Sequence, residues 1–247
     1  MKHHKNFTMV ELLVVIVVIL VLVSIFLPSL TRTRAQARKA NCLSNLRQIY
    51  LLARMYCDDQ KYYPDAVVQG TGITKYFWCG YFDGNSLNYM KGPLGDYLKT
   101  PAIFNCPEFV IRTDITPLDK SRQASCSYGI NAEYVGGSPS PNANPTETDI
   151  LNSRAAKVTE IKSPDKTLFF MDSAVASNSG YGESYYFWAR FSYATAAPHE
   201  ARSHYRHHGL AVGVFCDGHV EDNIAPDAID NSQLKLGWPD LKICERH

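Results

Sequence analysis

An α+β fold, one long N-terminal helix packed on an antiparallel-sheet head, is predicted by three features of this 247-residue chain. Leu12 to Val23 (LLVVIVVILVLV) has no polar side chain. Thr31 to Asp59 has neither Gly nor Pro and carries apolar residues at helical spacing. Beyond it, short aromatic and β-branched runs alternate with Gly, Pro, Asn and Asp clusters, the punctuation of strands and turns. Hydrophobic content of 45% with 20% charge excludes a disordered or fibrous chain. The formal net charge of +1 lacks the basic excess of a nucleic-acid surface, so no nucleic-acid partner is expected. Charge is nonetheless uneven. Lys2, Lys5, Arg32, Arg34, Arg38 and Lys39 stand against Glu11 alone in residues 1–39, an excess of +5 that leaves −4 for the remainder.

The basic residues bracket one apolar segment. Met9 to Leu30 is interrupted only by Glu11, Ser24, Pro28 and Ser29, and as a helix it spans roughly 30 Å, the thickness of a hydrocarbon core. A secretory signal fits poorly, because the apolar stretch is too long for an h-region and Ile25-Phe26-Leu27 is a poor cleavage site. Loop charge alone would keep the C-terminal part in the cytoplasm, since the flank after the span is the more basic. Glu11 points elsewhere: a carboxylate at the start of an apolar run is costly unless neutralised and marks a functional contact.

The run Phe7-Thr8-Met9-Val10-Glu11-Leu12-Leu13-Val14-Val15-Ile16 resembles the prepilin N-terminal signal of type IV pilins and type II secretion pseudopilins. The resemblance implies a prepilin peptidase that cuts between Asn6 and Phe7 on the cytoplasmic side and methylates the new amine. It also implies that Glu11 pairs with such an amine on a neighbouring subunit. The family's usual Gly before the cut is Asn6 here. The processing signal is therefore Asn6, Phe7, Thr8 and Glu11. A single-pass cytoplasmic-membrane protein follows, N-terminus inside and head outside, with other pilin-like subunits as partners. Pro28 matches the depth at which the family bends its helix; any proline there removes a backbone donor.

After Pro28 the pattern predicts a helix that continues to about residue 59, with Leu43, Leu46, Tyr50, Ala53 and Cys57 as the face packed on the head. Lys61-Tyr62-Tyr63-Pro64 ends it, because a residue before proline disfavours the helical region. The expected organisation is a leader at 1–6, a transmembrane helix at 7–30, an amphipathic helix at 31–61 and a head at 62–247. Strands are expected at Lys75 to Phe82, entering a turn at Asp83-Gly84-Asn85, and more weakly at Ser125 to Asn131. Lys166 to Met171 reads as a short apolar run closed by Asp172-Ser173, with a loop over Ala174 to Ser184. Gly136 to Thr148 reads as an exposed loop. The aromatic Tyr185 to Tyr193 suits either a sheet core or a sugar-stacking platform.

The strongest hairpin signal spans 210–224, where LAVGVFC meets Asp217-Gly218, a dipeptide suited to a two-residue turn. His207, nine intervening residues and Asp217-Gly218 resemble the His-X9-Asp-Gly element of a pilin-like family abundant in planctomycetes. Other features of that family occur in order: Cys42 with Asn45-Leu46-Arg47-Gln48, Tyr63-Pro64, Phe104-Asn105-Cys106-Pro107, Ser127-Tyr128-Gly129-Ile130-Asn131 and Arg206-His207-His208-Gly209. The two resemblances together imply a pilin-like head.

His204, His207, His208 and His219 lie near Asp217, Glu221 and Asp222 in sequence, but no zinc spacing, phosphate loop or nucleophile elbow accompanies them. His207 is expected to bond backbone near the hairpin and Asp217 to stabilise its own turn, with no catalytic residue and no enzymatic activity. No cofactor is expected; calcium is the metal best suited to the oxygen donors Asp217, Glu221, Asp222, Asp227 and Asp230. Of seven cysteines, Cys42 and Cys106 are the expected disulfide, since that bond would staple the helix to the segment before Pro107. The functional expectation is a prepilin-like subunit or minor component of a type IV pilus or type II secretion pseudopilus. The alternative is a tethered sugar-binding module or hydrolase that uses the helix only as an anchor.

Overall fold

Thr8 and Glu11 close the start of the first helix as a capping box. The Thr8 hydroxyl accepts the Glu11 N–H at 3.2 Å, while the Glu11 carboxylate accepts the Thr8 N–H and hydroxyl, each at 2.8 Å. From this cap, helix α1 runs over Met9–Gln60 with Pro28 inside it. The computed structural model describes residues 8–109, 126–137, 154–177, 180–188, 201–231 and 235–240. Asn6, Phe7 and the leader lie outside the described residues. The chain divides into two compact units, Met1–Arg38 and Lys39–His247.

In the first unit every large apolar side chain from Met9 to Leu30 is at least 44% exposed. This stretch is long and apolar enough to cross a membrane. Its few hydroxyls return to the helix's own carbonyls, Ser24 to Val21 at 2.7 Å and Thr31 to Pro28 at 2.9 Å. A hydroxyl bonded to its own helix's carbonyl suits an apolar medium.

In the second unit the helix buries Cys42, Leu46, Ile49, Ala53 and Cys57, a stripe with steps of 4, 3, 4 and 4. Leu43 and Tyr50, expected on this face, are only half-buried; the face is rotated toward Cys42 and Ile49. The helix stops one turn before Pro64. Lys61 takes a φ of 67° and its N–H bonds the Cys57 carbonyl at 2.8 Å, a left-handed cap that ends the ladder before the pre-proline restriction acts.

A small antiparallel meander follows, made of β1 (Val67–Gln69), β2 (Lys75–Phe77), β3 (Gly80–Phe82) and β4 (Leu87–Asn88). The run expected as one strand, Lys75 to Phe82, is instead a hairpin with Phe77 opposite Gly80. Trp78 and Cys79 form its turn and both are buried completely; the Trp78 indole N–H donates to the Tyr185 carbonyl, and its ring packs 4.6 Å from Phe170 and 5.5 Å from Phe104.

The larger sheet contains β5 (Tyr128–Asn131), β6 (Leu168–Ser177), β7 (Gly180–Gly182), β8 (Tyr186–Phe187), β9 (Ala201–His204), β10 (Ala211–Phe215), β11 (Val220–Ile224), β12 (Ala228–Asn231) and β13 (Leu236–Trp238). Described pairings are antiparallel except β5 with β8. One long helix with antiparallel and mixed sheets makes the layout α+β. Strand β6 organises it, pairing with β5, β7, β9 and β10. It does not stop at Asp172-Ser173 and no loop starts at Ala174; the strand continues to Ser177 and β7 returns against it. A buried carboxylate in mid-strand needs a buried cation, which sequence neighbours do not supply. Gly136 and Gly137, expected in an exposed loop, are buried; 138–148 lies outside the described residues.

Candidate functional site

Asp172 is fully buried, and the chain is built around it. Strands β9 and β10 both run antiparallel to β6, with Ser203 opposite Ser173 and Gly213 opposite Met171. Between them Tyr205–Leu210 leaves the ladder at the level of Asp172. That excursion turns at His208 (φ 58°) and Gly209 (φ 85°), bridged by paired hydrogen bonds between His207 and Leu210 of 3.0 and 3.2 Å. Two successive positive φ values are the requirement of a two-residue I′ turn.

The excursion delivers a cation and an imidazole to the carboxylate. Arg206 Nε lies 3.4 Å from Asp172 Oδ1, and Arg206 Nη2 donates to the Ser127 carbonyl at 3.0 Å and the Ser173 carbonyl at 2.7 Å. Its guanidinium sits 4.5 Å from the Phe109 ring centroid. Asp172 Oδ2 accepts the Val212 N–H at 3.0 Å and lies 3.3 Å from His207 Nε2. Glu183 borders this charge cluster: burial pushes its carboxyl up to about 7, against the opposing pull of the Ser127 hydroxyl and Arg206. Arg206 and His207 are 5% and 3% exposed, so the cluster is sealed from bulk water.

Helix α1 grips the same corner. The structure joins Cys42 to Cys106 as a disulfide with Cα atoms 5.4 Å apart. Asn45, one turn further along the helix, donates to the Asn105 carbonyl at 3.0 Å. Cys106 follows a 3-10 turn, Pro101–Phe104, capped by the Thr100 hydroxyl, and its Sγ lies 3.8 Å from His207 Nε2. The disulfide, His207 and the Asp172–Arg206 pair thus form one continuous buried unit.

The histidines grouped in the sequence separate in space. His207 meets Asp172 and Cys106, whereas His204 packs on Tyr181 and Phe109. His219 stacks on Phe215, and Asp217 Oδ1 accepts its N–H at 3.0 Å and its Nδ1 at 2.7 Å. Asp217 therefore stabilises its own turn, but that turn is wider than two residues. The Phe215 carbonyl accepts the Gly218 N–H and the Phe215 N–H donates to the His219 carbonyl, which leaves Cys216, Asp217 and Gly218 between them. Only Gly218, at φ 95°, has a positive φ, so a I′ turn is excluded and a three-residue loop results.

Three of the five carboxylates suited to calcium, Asp217, Glu221 and Asp222, have local partners. Asp217 is held by His219, Asp222 pairs with Lys39 at 2.9 Å, and Glu221 lies 3.9 Å from His219 Nε2. Among the described residues these carboxylates form no three-donor metal group; Cys42, Cys106 and His207 do. Tyr185, Phe187 and Trp188 of the aromatic run are buried in the core, and 189–193 lies outside the described residues. A cavity of about 220 Å³ is lined by Leu51, Met55, Tyr97 and Ile103, and a second by Cys57, Tyr62 and Lys157; neither has a histidine in its wall. Sequence reading missed Asp172, and Arg206 entered it only as a motif member. The available signal was one carboxylate inside an apolar strand, Leu168 to Val175. No protein-family model, curated protein or solved structure matches the chain.

Proposed function

We propose that this protein is a membrane-anchored, prepilin-like subunit or minor component of a type IV pilus or type II secretion pseudopilus, with no enzymatic activity of its own. The observation that carries the reading is the pairing of a capped Thr8–Glu11 start with an apolar helix whose side chains, Met9 to Leu30, remain exposed within the chain. Such a surface needs lipid or neighbouring helices to cover it, and an assembly of identical helices supplies both in turn. A prepilin peptidase cuts before Phe7, the N-terminus starts in the cytoplasm, and the head lies outside the cytoplasmic membrane. Thr8 already supplies hydrogen bonds to Glu11, so a neighbour's amine adds charge compensation more than missing donors.

Mass spectrometry of the protein from its native host tests processing: a mature terminus at Phe7, N-methylated, is expected, and an intact Met1 terminus or one after Leu27 defeats it. Glu11→Ala tests assembly. The variant should insert into membranes normally and be depleted from any filament, whereas normal incorporation removes the pairing role of Glu11.

A further inference from the structure

The corner shared by α1, Cys106 and the Tyr205–Leu210 excursion holds three metal-ligating atoms from three distant parts of the chain. The sulfurs of Cys42 and Cys106 and the donor nitrogen of His207 all lie within 4.8 Å of one another. Around zinc, with bonds of about 2.3 Å to sulfur and about 2.0 Å to nitrogen, tetrahedral donors stand roughly 3.5 Å apart; the two sulfurs, joined in the disulfide, separate toward that spacing once reduced, and His207 Nε2 already stands 3.8 Å from Cys106 Sγ. All three residues are at most 4% exposed.

Asp172 borders the imidazole of this set without lying within 4.8 Å of all three donor atoms, so it must move toward the sulfurs to become a fourth donor. Asp172 Oδ2 lies 3.3 Å from His207 Nε2, and the Val212 N–H orients it while leaving a lone pair free. Charge also closes. Two thiolates and one carboxylate around a divalent ion carry −1, and Arg206, 3.4 Å from Asp172, supplies the compensating +1 that a buried site requires. Thiolate and imidazole donors in a tetrahedral array select zinc over calcium or magnesium.

We propose that Cys42, Cys106 and His207, with Asp172 as fourth ligand, form a zinc-class site that opens when the Cys42–Cys106 bond is reduced. The corner then has two interchangeable cross-links, a disulfide or a bound metal. A dithiol reductant gives two electrons and two protons to the S–S bond, leaving two thiols and its own cyclic disulfide. Metal binding releases both thiol protons to solvent. His207 ligates as neutral imidazole through Nε2 with its proton on Nδ1, and Arg206 and the Val212 N–H hold Asp172 beside that imidazole.

Cobalt(II) titration of the full-length chain in detergent micelles, without oxygen and after removal of a phosphine reductant, tests the site. The reduced chain should bind cobalt stoichiometrically, with sulfur-to-cobalt charge-transfer bands and intense tetrahedral visible bands that zinc abolishes. The oxidised chain should show neither. Cys57, Cys79, Cys126 and Cys216 form no disulfide and are thiols in both states, so the difference between the two states, read beside Cys42→Ser/Cys106→Ser, reports on Cys42 and Cys106. His207→Gln should weaken binding more than about tenfold, and Asp172→Asn should weaken it less. A pale octahedral spectrum, no gain of binding on reduction, or an unchanged spectrum in Cys42→Ser/Cys106→Ser overturns the proposal. The comparison of redox states needs no substitution and stands even if a variant misfolds.

Discussion

The Cα of Gly218 faces the ring of Tyr50 so closely that a Cβ added there would lie 2.4 Å from Tyr50 Cε1. The Asp-Gly turn is thereby the point at which the β10–β11 hairpin rests on helix α1. Its glycine answers two separate demands, a φ of 95° and the close approach of a ring. Gly218→Ala should cost at least ~1 kcal/mol in chemical unfolding, and Gly218→Val more. In a Tyr50→Ala background the contact part of the cost should disappear and the backbone part remain. An equal cost in both backgrounds would show that the ring plays no part.

Truncating Asp172 should be far more damaging than its single side chain implies. Asp172→Ala leaves the Arg206 charge uncompensated in a site 5% exposed and removes the acceptor of the Val212 N–H. The expected loss is about 4 kcal/mol. Asp172→Leu combined with Arg206→Met should recover much of it, because removing both charges removes the penalty. Denaturant midpoints of the single and double variants decide the matter; a single variant within ~0.5 kcal/mol of the parent would mean that the ion pair is dispensable.

The Cys42–Cys106 bond closes a loop with a sequence separation of 64. A closure of that length stabilises by about 4 kcal/mol in the chain-entropy description. Reduced protein, or Cys42→Ser/Cys106→Ser, should melt well below the oxidised form in metal-free buffer. Coincident melting curves would show that Asn45 and the surrounding core hold the corner unaided.

Glu183 makes stability fall as pH rises. Its carboxyl is pushed up to about 7 from the ordinary 4.5 by burial, so between those values the folded chain holds a proton that the unfolded chain has released. The contribution is complete below pH 4.5, declines through pH 7 and is absent above it, a change of at most ~3 kcal/mol. Glu183→Gln should flatten this slope and raise stability at pH 8, since the amide keeps an acceptor for the Ser127 hydroxyl. A slope identical in Glu183→Gln and the parent would assign the dependence to another group.

Helix α1 was legible because its determinants are local. Leu12 to Val23 is apolar without interruption, Thr8 and Glu11 stand three residues apart, and an apolar stripe recurs at 3.6-residue spacing; each depends only on residues within two turns. The stop, expected at about residue 59, falls at Gln60, where the positive φ of Lys61 ends the helix one turn before Pro64. The same locality explains the errors elsewhere. Asp217-Gly218 and His208-Gly209 are both plausible turn dipeptides, and only strand pairing decides which becomes the I′ turn. His208 adopts a φ of 58° because His207 and Leu210 are held in register on either side.

The buried centre belongs wholly to tertiary structure. Asp172 meets a cation from residue 206, Cys106 meets a helix 64 residues earlier, and His207 faces both although its sequence neighbours include three other histidines. A buried charge is tolerated only where a distant partner arrives with the right geometry, and no periodicity in the chain encodes that arrival. Sequence by itself determined that a long apolar helix exists and that cysteine, histidine and Asp-Gly elements follow. Packing around β6 decided which of them meet, because burial couples residues by distance in space.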